Sequence, residues 1–196
     1  KSGGLSNRVL RALLGTFPES LRHFDEDSGC TSLHLLCKVA NSKSNLDMAI
    51  KMILLTLPET ALLTDRQSKV PLHYATNQRF LCKKTIEVLL ACRPEAAMVK
   101  DALGQLPIHY ALMEKCDSNQ TCNNDVIAHS QGLVVKELLN AHQRGAQVRD
   151  MNGMLPLSLA CRNNAPYNAI TELISAYSDA AKDQDCDNRL PLHWAC

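Results

Sequence analysis

The sequence has few aromatic residues and no long run of apolar ones. Phe, Trp and Tyr make up 4% of the 196 residues, and Trp194 is the one tryptophan. With 45% hydrophobic residues but so few rings, the core must be built from Leu, Ile, Val and Ala, which suits closely packed helices. No apolar run reaches the ~18 residues that a membrane-spanning helix needs, so we expect no membrane span.

Cysteine is abundant, but its pattern is not that of a disulfide scaffold. The nine cysteines are odd in number, and no CxxC pair occurs. Five lie in or beside helical patterns, where Cys serves as a small apolar residue: Cys37, Cys82, Cys92, Cys161 and Cys196. We therefore expect a reducing, intracellular compartment, with the cytoplasm first and the nucleus or an organelle left open. Cys116, Cys122, Asp125 and His129 fit no zinc spacing, so no metal or other cofactor is expected.

Net charge excludes little, because the formal value is +1. The charge is uneven, however: residues 66–100 hold seven basic and two acidic side chains, whereas residues 101–196 hold seven and eleven. This asymmetry could steer a protein partner, or it could belong to ordinary solvated helix faces. A nucleic-acid partner is not expected, because no aromatic residues are interleaved with the basic ones for base stacking.

One seven-residue cluster occurs five times. LPIHYAL from Leu106 has counterparts in TSLHLLC from Thr31, VPLHYAT from Val70, LPLSLAC from Leu155 and LPLHWAC from Leu190. The central residues are 39, 36, 49 and 35 residues apart: His34, His73, His109, Ser158 and His193. A second pattern recurs alongside each cluster, as in TIEVLLACRPEAAMVKD, residues 85–101. Its apolar residues recur at i, i+3 and i+4, which is typical of an amphipathic helix.

These two patterns predict an all-α chain that forms a single array over residues 1–196. A half unit at 7–25 precedes units at about 26–64, 65–100, 101–149 and 150–184, and a partial unit occupies 185–196. Each unit consists of a turn, a helix opening at the cluster, a loop and a second helix. A lone unit cannot bury its apolar face, whereas stacked units can, which predicts a helical repeat solenoid. The spacing of 49 residues predicts an inserted loop at 116–131.

The residues around each cluster suit a turn that leads into a helix. Proline opens four of the five predicted first helices, where its missing N–H costs nothing: Pro71, Pro107, Pro156 and Pro191. An aspartate opens four turns and is expected to accept N–H groups two or three residues further on: Asp65, Asp101, Asp150 and Asp185. Positive φ is expected near the end of each turn, where Ser68 fits less well than Gly104, Gly153 and Asn188.

The repeated histidines have a structural explanation. Each lies on the first turn of its helix, so its imidazole can bridge backbone groups of neighbouring turns. A shared metal is excluded because units lie about a helix diameter, ~10 Å, apart, whereas zinc–nitrogen bonds are ~2 Å. Ser158 replaces the histidine in one unit, so we expect the unit at 150–184 to be held less tightly.

DALGQLPIHYA from Asp101 and DCDNRLPLHWA from Asp185 resemble the ankyrin repeat, whose pattern is Asp-x-x-Gly-x-Thr-Pro-Leu-His-x-Ala. The resemblance covers residues 7–196 and implies a divergent ankyrin-like solenoid. Its period is nearer 36 than the usual 33. The Thr that caps the helix occurs once, as Thr31, and aliphatic residues that we expect to pack on the next unit replace it elsewhere: Val70, Leu106, Leu155 and Leu190.

The resemblance implies a protein-binding scaffold whose turn tips and exposed first-helix positions line a concave surface. Carried over position by position, the implied partner-binding residues are Arg66, Gln67, Lys69, Asn77, Gln78, Leu103, Gln105, Met113, Glu114, Met151, Asn152, Met154, Arg162 and Asn163. We place the centre at Leu103, Met151 and Met154, which are apolar where solvent is expected, with Arg66 and Lys69 as a basic rim. The alternative is that the three apolar residues pack against adjacent turns.

Motifs for catalysis are lacking. There is no Gly-rich phosphate loop, no G-x-S-x-G, no HExxH and no CxxC, so we expect no enzyme activity, cofactor or small-molecule substrate. The main alternative to a free adaptor is an accessory ankyrin module of a larger enzyme, or a structural subunit of a large multiprotein assembly. The partial unit raises this alternative, because Leu192 and Trp194 would lack a covering helix.

Overall fold

The computed structural model describes residues 16, 18–39, 46–77, 82–113 and 124–195. All regular structure in these ranges is helical, which confirms the all-α class for the described part of the chain. Most of the predicted half unit 7–25 lies outside the described residues. The nine α-helices described are α1 (Ser32–Val39), α2 (Leu46–Thr56), α3 (Pro71–Thr76), α4 (Lys83–Cys92), α5 (Pro107–Ala111), α6 (Asn124–Ala141), α7 (Pro156–Arg162), α8 (Tyr167–Ala176) and α9 (Pro191–Ala195).

The odd-numbered helices, here called first helices, open at the repeated cluster, and the even-numbered ones are the second helices. First helices contact one another in chain order from α1 to α9, and second helices do so from α2 to α8. Each of the first four first helices also contacts the second helix that follows it. Each helix from α1 to α7 therefore has neighbours both within its own pair and in the next pair.

A five-residue 3₁₀ helix follows each second helix. Leu57 (φ −137°, ψ 84°) and Arg93 (φ −143°, ψ 91°) leave the α-helical region, as expected of residues that precede proline. His142 and Tyr177 adopt the same conformation without a proline after them. A buried alanine lies within every one of these four 3₁₀ segments, so a small side chain is shared even where proline is not. The 3₁₀ helices are η1 (Pro18–Arg22), η2 (Pro58–Leu62), η3 (Pro94–Met98), η4 (Gln143–Gln147) and η5 (Ser178–Lys182).

The core is one contiguous aliphatic cluster that draws on both helix rows. In the second helices the buried residues recur at i, i+3 and i+4, as in Ile86, Leu89 and Leu90 of α4. In the first helices the residue after proline is buried in α3, α5 and α7, at Leu72, Ile108 and Leu157. The equivalent Leu192 of α9 is 70% exposed, because nothing in the described structure covers it.

The predicted loop at 116–131 is wrong over residues 124–131, which belong to α6. Polar composition suggested a loop, but Asn124 and Asp125 are residue types that favour a helix N-terminus, and no proline follows them in this segment. Gln131 is buried and donates from Nε2 to the carbonyl of Ala111 at 2.7 Å. This contact with the preceding first helix helps to fix the early part of α6.

The cysteines of the described ranges serve as core and surface residues without disulfide partners. They are Cys30, Cys37, Cys82, Cys92, Cys161 and Cys186. Complete burial raises the pKa of the Cys37 thiol far above its usual range, so this side chain stays protonated. Among the described helices, none is long and apolar enough to cross a lipid bilayer.

Candidate partner-binding surface

The five turns that precede the first helices are built around an aspartate. Asp65 Oδ1 accepts the backbone N–H groups of Gln67 at 2.8 Å and Lys69 at 2.9 Å. The third, fourth and fifth turns repeat this geometry at Asp101, Asp150 and Asp185. The acceptor role predicted for these aspartates is confirmed, with donors two and four residues on rather than two and three.

The positive φ expected near the end of each turn is confirmed. Gly104 and Gly153 both have φ of 70°, and Asn188 has 57°. Ser68 adopts 59° although its Cβ disfavours this region. The conformation is imposed by the turn, since the N–H of Ser68 returns to the carbonyl of Asp65 at 3.0 Å.

The second carboxylate oxygen, Oδ2, of the turn aspartates also accepts a hydrogen bond, and the sequence did not predict its donor. Tyr110 donates its hydroxyl to Asp101 Oδ2 at 2.6 Å, and Tyr74 does the same to Asp65. Trp194 donates from Nε1 to Asp185 Oδ2 at 2.9 Å. Burial, together with the carboxylate, raises the pKa of the Tyr110 hydroxyl above its usual range. The available signal was the Tyr or Trp that directly follows the histidine in three of the five clusters.

The histidines tie each turn to the next. His73 Nδ1 accepts the N–H of Val70 at 3.1 Å, and its Nε2 lies 3.1 Å from the carbonyl oxygen of Gln105. Because Nδ1 is an acceptor, the ring must be the neutral tautomer that donates from Nε2. His34 repeats this arrangement with the carbonyl of Lys69, whereas His109 bonds the carbonyl of Val148, two residues before Asp150. Burial lowers the pKa of all three imidazoles. The predicted bridging role is confirmed at these three positions.

Backbone hydrogen bonds also join the tips of consecutive turns. Arg66 N donates to Ser28 O at 3.4 Å, Ala102 N donates to Gln67 O at 2.9 Å, and Met151 N donates to Leu103 O at 3.1 Å. Backbone hydrogen bonds therefore link the first four turn tips one to the next. We call the exposed and half-buried side chains of all five turn tips, together with those of the adjoining first helices, the turn row.

The structure brings many of the sequence-predicted site residues to the turn row. Leu103 is 55% exposed and Met151 is 69% exposed, on adjacent turns. The other exposed members of the predicted set are Arg66, Gln67, Asn77, Asn152 and Arg162. Three members are half-buried: Lys69, Met113 and Asn163. Two members, Gln78 and Glu114, lie outside the described residues.

Met154 and Gln105 do not lie on the exposed surface, which corrects the prediction for both. Met154 is only 3% exposed, and its sulfur lies 3.6 Å from Nη1 of Arg162. Gln105 is 6% exposed, and its Nε2 lies 3.3 Å from Asp150 Oδ2 on the next turn. Their side chains lie against neighbouring elements, Met154 against Arg162 and Gln105 against the next turn. The apolar centre therefore consists of Leu103 and Met151.

Cationic side chains flank this apolar centre and lie against aromatic rings. Lys69 Nζ is 5.2 Å from the ring centre of Tyr110 and 6.0 Å from that of Tyr74. Arg162 and Arg189 place their Cζ atoms 5.1 and 4.7 Å from the ring centre of Trp194. Such contacts hold a cation in place, so the turn row has a defined positive group on either side of Leu103 and Met151.

No protein-family model matches the chain, and no curated protein matches its sequence. Over the ranges that the structure describes, no three His, Cys, Asp or Glu side chains come together as a metal site. The turn row offers apolar and cationic contacts on a hydrogen-bonded frame, which suits recognition of another macromolecule.

Proposed function

We propose that the chain is an ankyrin-like helical repeat solenoid that acts as a non-catalytic scaffold for protein–protein interaction. Support for the architecture comes from the two rows of helices in contact order and from the recurring turn geometry. Units that contact only their neighbours are the hallmark of such arrays. The described cysteines have no disulfide partners, which is consistent with a reducing compartment, and we propose the cytoplasm as the protein's location.

The observation that carries the proposed function is the exposure of Leu103 and Met151 on adjacent turns. The N–H of Met151 bonds the carbonyl of Leu103 at 3.1 Å, so the two residues are fixed next to each other. Adjacent exposed apolar side chains tend to mark contact surfaces. Because the turns are already ordered by the aspartate and histidine bonds, a partner would lose little binding energy to ordering them.

The test is a site-specific photo-crosslinking experiment with a matched control. A photoreactive residue would replace Leu103 in one sample and Ile174, a 41% exposed residue of second helix α8, in another. We expect a discrete protein partner to be captured from Leu103 and not from Ile174. The partner would then be purified and its affinity measured for the unmodified chain.

Two double variants would then distinguish binding at the turn row from non-specific hydrophobic association. Leu103→Ser with Met151→Ser should weaken binding of the purified partner at least tenfold, as expected when about 1.4 kcal/mol or more of apolar contact is lost. Leu55→Ser with Ile174→Ser changes exposed apolar residues of second helices and should leave binding unchanged. Equal affinity in all three proteins, with the fold intact, would remove the turn row from the proposal.

One observation favours a second candidate, in which the chain is a module or subunit of a larger assembly. Leu192 is 70% exposed, whereas the equivalent Leu72 is fully buried. His193 accepts the N–H of Leu190 at 2.9 Å, but its ring is exposed, unlike that of His73. A further protein surface could cover this side of α9. In that case Leu192→Ser should weaken assembly while partner capture at Leu103 persists.

A further inference from the structure

We propose that the turn row recognises an extended acidic segment of the partner, with acidic residues at both ends and apolar residues between them. This inference rests on the proposed scaffold function and names the chemistry of its partner. The turn row carries a cationic group, an apolar centre and a second cationic group in chain order, and the partner would present the complementary sequence of groups.

The first cationic group is Lys69 of the second turn. Its ammonium lies between the rings of Tyr74 and Tyr110, nearer to Tyr110 of the next first helix. Among the described residues it forms no ion pair with a carboxylate. Asp65, the nearest turn aspartate in sequence, already accepts the N–H groups of residues 67 and 69 and the hydroxyl of Tyr74. The charge of Lys69 is thus available to a partner.

The second cationic group is the pair Arg162 and Arg189, which share the indole of Trp194. Two guanidinium groups beside one ring concentrate positive charge at this end of the turn row, which favours an anionic group of a partner nearby. Guanidinium groups bind carboxylates with paired hydrogen bonds. Asp185 is occupied by Trp194 Nε1 and two backbone N–H groups, and Asp187 reaches Arg189 only at 3.8 Å. Most of the hydrogen-bonding capacity of this pair remains available.

The apolar centre lies between the two cationic groups. Lys69 is in the second turn, Leu103 in the third, Met151 in the fourth and Arg189 in the fifth. Neighbouring helices are roughly 10 Å apart, so three steps span roughly 30 Å. An extended chain rises ~3.3 Å per residue, and about nine residues would cover that span. The acidic first turn, with exposed Glu26 and Asp27, limits the site on the other side of Lys69.

An extended peptide fits this surface better than a nucleic acid does. Base recognition on single strands needs exposed aromatic faces for stacking. Tyr110 is only 4% exposed, and Tyr74 is half-buried with its hydroxyl on Asp65. Trp194 is occupied by two guanidinium groups. The exposed apolar side chains of Leu103 and Met151 would also find no apolar contact on a phosphate backbone.

The experiment uses the full chain and three synthetic nonapeptides. The test peptide has two Glu at each end and Leu residues in the centre; one control has Lys in place of Glu, and the other has Leu at the ends and Glu in the centre. Fluorescence anisotropy of labelled peptides gives affinity. Because Trp194 is the one tryptophan in the chain, its intrinsic fluorescence reports binding at the Arg162–Arg189 pair directly.

We expect the test peptide to bind more tightly than both controls and to shift Trp194 fluorescence. Its affinity should fall as the salt concentration rises. Arg162→Gln with Arg189→Gln should lower its affinity roughly tenfold. Lys51→Gln with Lys182→Gln removes two exposed charges outside the turn row and should leave the affinity unchanged. Circular dichroism of each variant would check that the fold is intact.

Several results would overturn the inference, and they can be told apart from failure of the scaffold proposal. Equal binding of the Lys peptide, or no loss of affinity in the double Arg variant, would contradict the acidic specificity. Tighter binding of a single-stranded RNA of similar length, competing with the peptide, would favour nucleic acid instead. If the peptide fails while a partner is still captured at Leu103, the acidic segment is wrong and the scaffold stands; if capture fails as well, both fall.

Discussion

The stability of the stacked turns should depend most on the buried histidines, and His73 offers the sharpest test. Its ring is fully buried and bonds the N–H of Val70 on one side and the carbonyl of Gln105 on the other. His73→Ala would leave both backbone groups without their partner, at about 1–3 kcal/mol each, and would open a cavity. We therefore expect the free energy of unfolding to fall by about 4 kcal/mol.

The matched control is His193→Ala at the same position of the last cluster. His193 is exposed and bonds only the N–H of Leu190 among the described residues, so its removal should cost about 1 kcal/mol or less. Urea denaturation followed by far-ultraviolet circular dichroism and by Trp194 fluorescence would give both values. Equal losses in the two variants, or a loss below about 1 kcal/mol for His73→Ala, would refute the bridging role as a source of stability.

Three further predictions concern the titration of the buried histidines and the substitutions Tyr110→Phe and Ser68→Gly. Burial lowers the pKa of His34, His73 and His109, so the unfolded chain binds protons that the folded chain does not. The free energy of unfolding should therefore decrease as pH falls below about 6.5, in urea titrations between pH 7.5 and 5.5. Tyr110→Phe should cost about 2 kcal/mol by leaving Asp101 Oδ2 without its donor, whereas Tyr167→Phe at an 82% exposed side chain should change nothing in the same assay. Ser68→Gly should raise the thermal midpoint, because relief of positive φ, about 1–2 kcal/mol, exceeds the entropy cost of glycine, about 0.5–1 kcal/mol.

Local features could be predicted from the sequence because their causes are local. The turn aspartate, the residue with positive φ and the proline at the helix start act within about six residues, and all three are found in their predicted roles in the third turn, although one N–H donor to Asp101 lies four rather than three residues on. The apolar spacing of α4 likewise predicts which of its residues are buried. These interactions need no knowledge of which segments become neighbours.

Features that depend on neighbouring turns could not be predicted in the same way. Met154 and Gln105 were expected at the surface, but the side chains packed around them decide their burial. The start of α6 was missed because polar residues do not reveal the contact between Gln131 and the carbonyl of Ala111. The pairing of Arg162 with Trp194 joins residues of two different first helices, α7 and α9. Arg162 was predicted as a surface residue, but its place beside Arg189 on the Trp194 ring emerged only from the structure.

We propose that a protein partner binds at the turn row, and hydrogen–deuterium exchange of the full chain, with and without the partner captured at Leu103, measures whether it does. We expect slower exchange on binding at residues 101–105 and 150–154, with little change in α4 and α8. Slower exchange confined to the second helices, or no change in the turns at saturating partner, would contradict the claim.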